Sequence, residues 1–296
     1  VKLEEIRRLC VVGAGQMGAQ IAFQAALHGF EVALRDISEE QLEKARANRK
    51  HLERRVAKGK MSGEELEATL GRLSYTTSLE EAAAEADFVL EAIVERLDVK
   101  RELFRELDRS APARAILATN SSYLGNSLLA PETSRPEKVV NMHFFYPPLV
   151  MRLVEVVRGE KTSDETVELT AAVARRMGRE PVILHKELPG FLVNRILRAI
   201  TDEAYYLLEE GVASFEDIDK ACELGLNHPL GPFRLGDLSG LDVGYNARLE
   251  VYEETGEPSD KPPAALERRV ERGDLGRKTG RGFYDYSTDP PTPTED

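Results

Sequence analysis

The chain has 296 residues, 42% of them hydrophobic and 31% charged, with 22 glycines and 15 prolines; this balance excludes a fibre, a coiled coil and a disordered chain, and is enough for one large or two medium domains. Lys and Arg number 40 against 52 Asp and Glu, a net charge of −12, so the molecular field repels phosphate backbones and anionic lipid, and neither nucleic acid nor membrane is an expected partner. Two distant cysteines, Cys10 and Cys222, exclude a disulfide scaffold and a structural metal site; with no signal-like apolar start and no run of about 18 apolar residues, the expected compartment is the reducing cytoplasm.

From residue 7 to 186 short apolar runs alternate with longer helical patterns, the signature of βαβ units in a mostly parallel sheet covered on both faces. Strands are expected at 9–12, 31–35, 88–93, 115–119, 138–142, 153–157 and 182–184. The charged stretch 39–58 reads as one long helix, and Ser62 with Glu65 three residues on reads as a capping box opening a shorter one, a helical hairpin inserted on the sheet. Beyond residue 190 no strand pattern appears; helical spacing over 191–208, 215–224 and 241–254 predicts an all-helical second domain. The expected organisation is an α/β domain over 1–186, a hinge in the polar Pro/Gly stretch 185–190, a helical domain over 187–286 and a disordered tail over 287–296.

Gly13-Ala14-Gly15-Gln16-Met17-Gly18 follows the first strand and opens an amphipathic helix. The first glycine suits a tight turn, the second lets backbone amides approach a pyrophosphate, and the helix N-terminus supplies partial positive charge. Asp36 ends the second strand, where a carboxylate accepts from both ribose hydroxyls of NAD and repels the 2′-phosphate of NADP; the adjacent Arg35 acts in the opposite sense. The pattern is that of a Rossmann-type NAD site.

Of five histidines, His28 lies at a helix C-terminus, His51 in a charged helix, His185 at the hinge and His228 before Pro229. His143 differs, because it ends a strand at the carboxyl edge where open α/β sheets bind ligands, and Phe144-Phe145-Tyr146-Pro147-Pro148 then turns the chain out of the sheet. Glu155 lies inside a β-branched strand, and a buried carboxylate needs a partner; His143 is one choice, an arginine on an edge strand the other. Thr119-Asn120-Ser121-Ser122 ends a strand at the same edge, as hydroxyl and amide groups beside the pair or as a cap before Leu124. Asn194, near the start of the first helix of the second domain, faces the interdomain cleft or caps a turn.

These residues sit in stretches that resemble the L-3-hydroxyacyl-CoA dehydrogenases over nearly the whole chain: VVGAGQMGAQIA, DFVLEAIVERLDVKRELF, ATNSSYL, NMHFFYPPLVMRLVEVV, LPGFLVNRIL, GPFRLGDLSGLD and GRKTGRGFYDY, in family order and spacing. The resemblance implies a catalytic pair at His143 and Glu155, with Ser122 and Asn194 beside the reacting oxygen. It also implies NAD contacts at Gly13 to Gly18, Asp36, Glu95, Lys100, Ser122 and Lys278. Tyr146 stands where relatives carry the Asn of the nicotinamide pocket. Of the family's coenzyme A contacts, the hairpin keeps basic character in Arg54, Arg55, Lys58 and Lys60. The implied protein is a homodimer that oxidises an L-(S)-3-hydroxyacyl-CoA with NAD. A free 3-hydroxy acid of sugar-acid or carnitine type is the alternative substrate, and a non-catalytic nucleotide-binding protein the third reading.

Overall fold

The computed structural model describes residues 3–295, the side chains of Arg55 and Glu254 excepted. It divides into two compact units, Val1–Leu192 and Val193–Asp296.

In the first unit, β1 (Arg8–Val12), α1 (Gln16–Leu27) and β2 (Glu31–Arg35) lead through α2 (Glu39–Ala47), α3 (Lys50–Ala57) and α4 (Gly63–Leu70) to β3 (Leu73–Thr76). There follow α5 (Leu79–Ala83), β4 (Phe88–Glu91), α6 (Leu97–Ser110), β5 (Ile116–Thr119), β6 (Val139–Phe144), β7 (Leu153–Val157), α7 (Asp164–Arg176) and β8 (Glu180–Leu184). Among the described residues these strands form one sheet in the order β3-β2-β1-β4-β5-β6-β7-β8. Every neighbouring pair is parallel except β6 with β7. The architecture is a Rossmann-like, mostly parallel α/β sheet.

Period-2 alternation sorts the strand side chains between two cores. Leu9 and Val11 of β1 with Phe88 and Leu90 of β4 join one face, together with Ile21, Ala22 and Ala25 of α1 and Val173 and Ala174 of α7. Cys10, Val12 and Val89 join the other, with Leu103, Phe104 and Leu107 of α6. Each fully buried Leu or Phe removes apolar area worth about 1.5–3 kcal/mol, so central strands that are apolar on both faces are what hold the sheet. Burial also pushes the Cys10 thiol up to about 12, which leaves it unreactive.

The stretch 39–58 is two helices rather than the one expected. Asn48 ends α2 with its amide on the carbonyls of Lys44 and Ala45, and the chain restarts at Lys50. The break lets Leu42 and Ala45 stay in the sheet-side core while Leu52 is buried on α3. The Ser62 box is present: Glu65 N donates to Ser62 Oγ at 3.0 Å and Ser62 N to Glu65 Oε2 at 2.7 Å. Strand β3 was not expected; it is a half-buried edge strand without a clear apolar alternation.

The second unit comprises α8 (Val193–Glu209), α9 (Phe215–Gly225), α10 (Pro232–Ser239), α11 (Leu241–Thr255) and α12 (Ala264–Glu271), with the two-residue strands β9 (Tyr284–Asp285) and β10 (Thr292–Pro293). Its core gathers Tyr205, Phe215, Phe233, Phe283 and Tyr284, with Phe233 and Phe283 centroids 4.6 Å apart. Buried Asp237 accepts from the amides of Phe283 and Tyr284 and from the Tyr286 hydroxyl, tying the C-terminal segment to α10; burial pushes its carboxyl up. The tail over 287–296, expected to be disordered, folds back through residue 295: β10 pairs antiparallel with β9, and the Thr294 hydroxyl donates to the Gly282 carbonyl at 2.8 Å. Asp296 lies outside the described residues. Among the described residues no helix is long and apolar enough to cross a membrane.

Candidate active site

The glycine loop is shaped by contacts that leave no room for side chains. Gly13 has φ +105, and a Cβ there would lie 2.5 Å from the Ala92 carbonyl oxygen; one on Gly18 would lie 1.8 Å from that of Gly13. Around Gly15, by contrast, nothing comes within 4 Å of the Cβ position, so the space over the N-terminus of α1 is open. The first-turn amides of Gln16, Met17 and Gly18 have no intrahelical acceptor, and Gly15 offers no side-chain cap. Amides without an intrahelical acceptor at an open helix N-terminus fit the pyrophosphate of a dinucleotide.

Asp36 does more than the sequence indicated. Its Oδ2 accepts from Ala14 N at 2.7 Å and its Oδ1 from Ser38 N at 2.9 Å, so the same carboxylate braces the glycine loop. The Arg35 guanidinium is turned to the Thr77 carbonyl at 3.2 Å. Asp36→Ala is therefore expected to weaken NAD binding by about 10–100-fold, the worth of charge-assisted hydrogen bonds, and to narrow the preference for NAD over NADP. Titration of NADH and NADPH fluorescence checks this; equal affinity for both cofactors in the unmodified protein contradicts it.

At the carboxyl ends of β4 and β5 a buried polar network meets the Ser turn. Glu91, fully buried, accepts from Lys100 Nζ at 2.6 Å, Ile93 N at 2.7 Å and Thr119 Oγ1 at 2.6 Å. Lys100, 1% exposed, also lies 3.3 Å from Glu95 Oε2. Glu95 Oε1 accepts from the Ser121 hydroxyl and from the amides of Ser122, Tyr123 and Leu124 at 3.2, 3.1 and 3.3 Å. Burial pushes the Glu95 carboxyl up, but Lys100 and the Ser121, Leu124 and Tyr123 donors outweigh it and hold it below the usual range. From the other side Asn141 Nδ2 donates to the Leu124 carbonyl at 3.2 Å. The Ser122 hydroxyl has no hydrogen-bond partner among the described residues.

His143 and Glu155 meet because of strand parity and register. Asn141 and His143 point to the face of β6 opposite Met142 and Phe144, and the antiparallel β6–β7 pairing sets Glu155 directly across from His143. His143 Nδ1 lies 2.8 Å from Glu155 Oε2, and Leu192 N donates to Glu155 Oε1 at 3.1 Å. Glu155 is fully buried and His143 5% exposed, with the Phe145 and Phe191 rings 4.6 and 5.6 Å from the imidazole. The second ring nitrogen has no hydrogen-bond partner among the described residues. A cavity of about 300 Å³ brings His143 together with Ser122, Met17, Ile93, Lys100 and Tyr146.

The other sequence-derived residues lie at the edge of this cavity or away from it. Tyr146 is 58% exposed at the rim of that cavity. Arg54, Lys58 and Lys60 are exposed on α3 and the turn after it, and the Arg55 side chain lies outside the described residues. Asn194 is half-buried on α8 and Lys278 pairs with Asp242, both in the second unit. Glu91 was missed; its signal is an acid closing an otherwise apolar strand.

Residues 8–188 match the NAD binding domain of 3-hydroxyacyl-CoA dehydrogenase and residues 190–286 its C-terminal domain. A probable 3-hydroxybutyryl-CoA dehydrogenase of Bacillus subtilis is 43% identical over 95% of this chain and 98% of its own length. The crystal structure of the (S)-3-hydroxybutyryl-CoA dehydrogenase of Ralstonia eutropha superposes with a TM-score of 0.87 at 39% identity, over 96% of this chain and all of that one. The structure of a diketoreductase acting on dicarbonyl compounds gives a TM-score of 0.86 at 36% identity, over 95% and 99%.

Proposed function

Since the chain belongs to the 3-hydroxyacyl-CoA dehydrogenase family of NAD-dependent oxidoreductases, we propose that it catalyses the reversible oxidation of an L-(S)-3-hydroxyacyl-CoA to the 3-ketoacyl-CoA, with His143 and Glu155 as the general-base pair. The observation that carries this reading is the 2.8 Å contact between His143 Nδ1 and Glu155 Oε2 beside a cavity shared with Ser122 and Met17 of the glycine loop. NAD, when bound, supplies the acceptor for the hydride. The amides of Gly15 to Gly18 hold its pyrophosphate and Asp36 its adenosine ribose, with Glu95, Lys100 and Tyr146 beside the cavity.

Glu155 keeps a proton on Nδ1, so the other nitrogen of His143 presents its lone pair to the substrate hydroxyl and takes the proton as the carbonyl forms. The imidazolium that results is stabilised by the buried carboxylate. Ser122 donates to the reacting oxygen, and Phe145 and Phe191 hold the ring and keep water from it. Family likeness alone assigns Asn194 a role toward the substrate and Lys278 one toward the cofactor. Exposed Tyr206, Val212 and Val243 in the second unit support the homodimer.

Arg54, Arg55, Lys58 and Lys60 form the handle for the coenzyme A phosphates. KM for an acyl-CoA is expected to rise with salt, and replacing Lys58 and Lys60 together by Gln to raise KM with little change in kcat, the pattern of lost uniform binding. An unchanged KM at low salt overturns this assignment.

The reaction itself is tested by NADH formation with (S)-3-hydroxybutyryl-CoA beside free 3-hydroxybutyrate and carnitine. The thioester is expected to exceed either acid in kcat/KM by about a hundredfold or more, because remote binding energy is used at the reacting centre. Equal values favour the free hydroxy acid; no turnover of any leaves a nucleotide-binding protein.

A further inference from the structure

Both oxygens of the Glu91 carboxylate lead to the same turn by different routes. Oε2 accepts from the Thr119 hydroxyl at 2.6 Å, and Thr119 Oγ1 in turn accepts from Ser121 N at 3.1 Å. Oε1 holds Lys100 Nζ at 2.6 Å, Lys100 reaches Glu95 Oε2 at 3.3 Å, and Glu95 Oε1 gathers the Ser121 hydroxyl with the Ser122, Tyr123 and Leu124 amides. Glu91 and Lys100 are 0% and 1% exposed. Removing two charges from water costs several kcal/mol per ion, so hydrophobic residues of similar volume would stabilise the fold at least as well. Stability alone gives no reason for the pair.

Resting on the role of Ser122 in the reading above, we propose that Glu91 is a positioning residue for the dehydrogenase reaction: through Thr119 and through Lys100 and Glu95 it fixes the turn that presents the Ser122 hydroxyl to the reacting oxygen. Its Oε1 also accepts from Ile93 N at 2.7 Å, and Ile93 lines the same cavity. One buried carboxylate therefore sets two walls of the pocket. Glu95 stays ionised because its donors outweigh its burial, which is what four hydrogen bonds to the turn require.

Glu91→Gln keeps the volume and breaks the logic. An amide has one acceptor and one donor end, so if its oxygen serves Lys100 and Ile93, its NH2 meets Thr119 Oγ1 and the Thr119 hydroxyl proton loses its acceptor and turns away; reversed, it sets NH2 against an ammonium. A shift of the Ser122 hydroxyl of less than 1 Å is enough to cost rate. The variant is expected to lose about 10–100-fold in kcat while KM for NAD stays within about threefold.

The test is a cycle of Glu91→Gln, Ser122→Ala and the double variant, reading kcat, NADH affinity by fluorescence and thermal midpoint. If Glu91 acts through Ser122, Ser122→Ala loses rate and Glu91→Gln costs less than about threefold more in its background. Full additivity, or a Glu91→Gln enzyme with normal kcat, overturns the inference and leaves the proposed reaction standing. A Ser122→Ala enzyme with normal kcat overturns the Ser122 role on which both rest. Where Glu91→Gln does not fold, Thr119→Val, which cuts one route without removing a charge, carries the same cycle and the same outcomes.

Discussion

His143→Gln is expected to lower the rate of thioester oxidation by about 10²–10⁴, the usual contribution of a positioned general base, and to leave NAD affinity unchanged. Glutamine fills a similar space, and its NH2 group can still donate to Glu155, so β6 and β7 keep their register. Its amide cannot accept a proton at the pH of the assay. NAD affinity is the control because His143 lies on β6, whereas the glycine loop and Asp36 are set by β1, β2 and the Ala92 carbonyl. Steady-state NADH formation and NADH fluorescence titration on the same preparation measure both quantities. A variant that binds NADH and turns over near normally removes His143 from the chemistry.

Glu155→Gln is expected to lose about as much, 10²–10⁴ in kcat, by setting the wrong tautomer. In the native site both carboxylate oxygens accept, one from His143 Nδ1 and one from Leu192 N. A glutamine amide can accept at one end only. With its NH2 toward the imidazole, Nδ1 becomes the acceptor, the proton moves to Nε2 and the base is occupied. With its NH2 toward Leu192, two donors face each other in a buried site, at a cost of about 1–3 kcal/mol. Either arrangement also leaves the imidazolium without a counter-charge. Because glutamine removes a buried charge without opening a cavity, the thermal midpoint should fall little while kcat collapses. Parallel losses of both mean that Glu155 holds the fold rather than the ring.

The His143–Glu155 pair was legible because its logic is local to two strands. A polar residue in each of two neighbouring apolar strands, 12 residues apart around a proline turn, leaves few ways to satisfy both. The glycine loop was legible for the same reason: φ +105 at Gly13 and the contact of Gly18 with the Gly13 carbonyl each demand the residue that stands there. Glu91 was not, since an acid closing an apolar strand looks like any strand end, and its partners Lys100 and Thr119 come from α6 and β5. Strand β3 carries Leu73 and Tyr75 only half-buried at the sheet edge, without the apolar alternation that marks a strand. Asn48 inside a charged run gave too weak a signal to split α2 from α3. The ordered tail was hidden because Thr294 finds its acceptors at Gly282 and Phe283, which no local pattern in a Pro/Thr-rich stretch reveals.

The central claim is that proton removal by His143 accompanies oxidation of the substrate alcohol, and the dependence of kcat/KM on pH tests it most directly. Measured with saturating NAD and (S)-3-hydroxybutyryl-CoA well below its KM, the native enzyme should gain rate with rising pH and then level off, because a general base accepts a proton only in its neutral form. The His143→Gln enzyme should show no such limb in its residual rate. The same rising limb in native enzyme and variant would contradict the account.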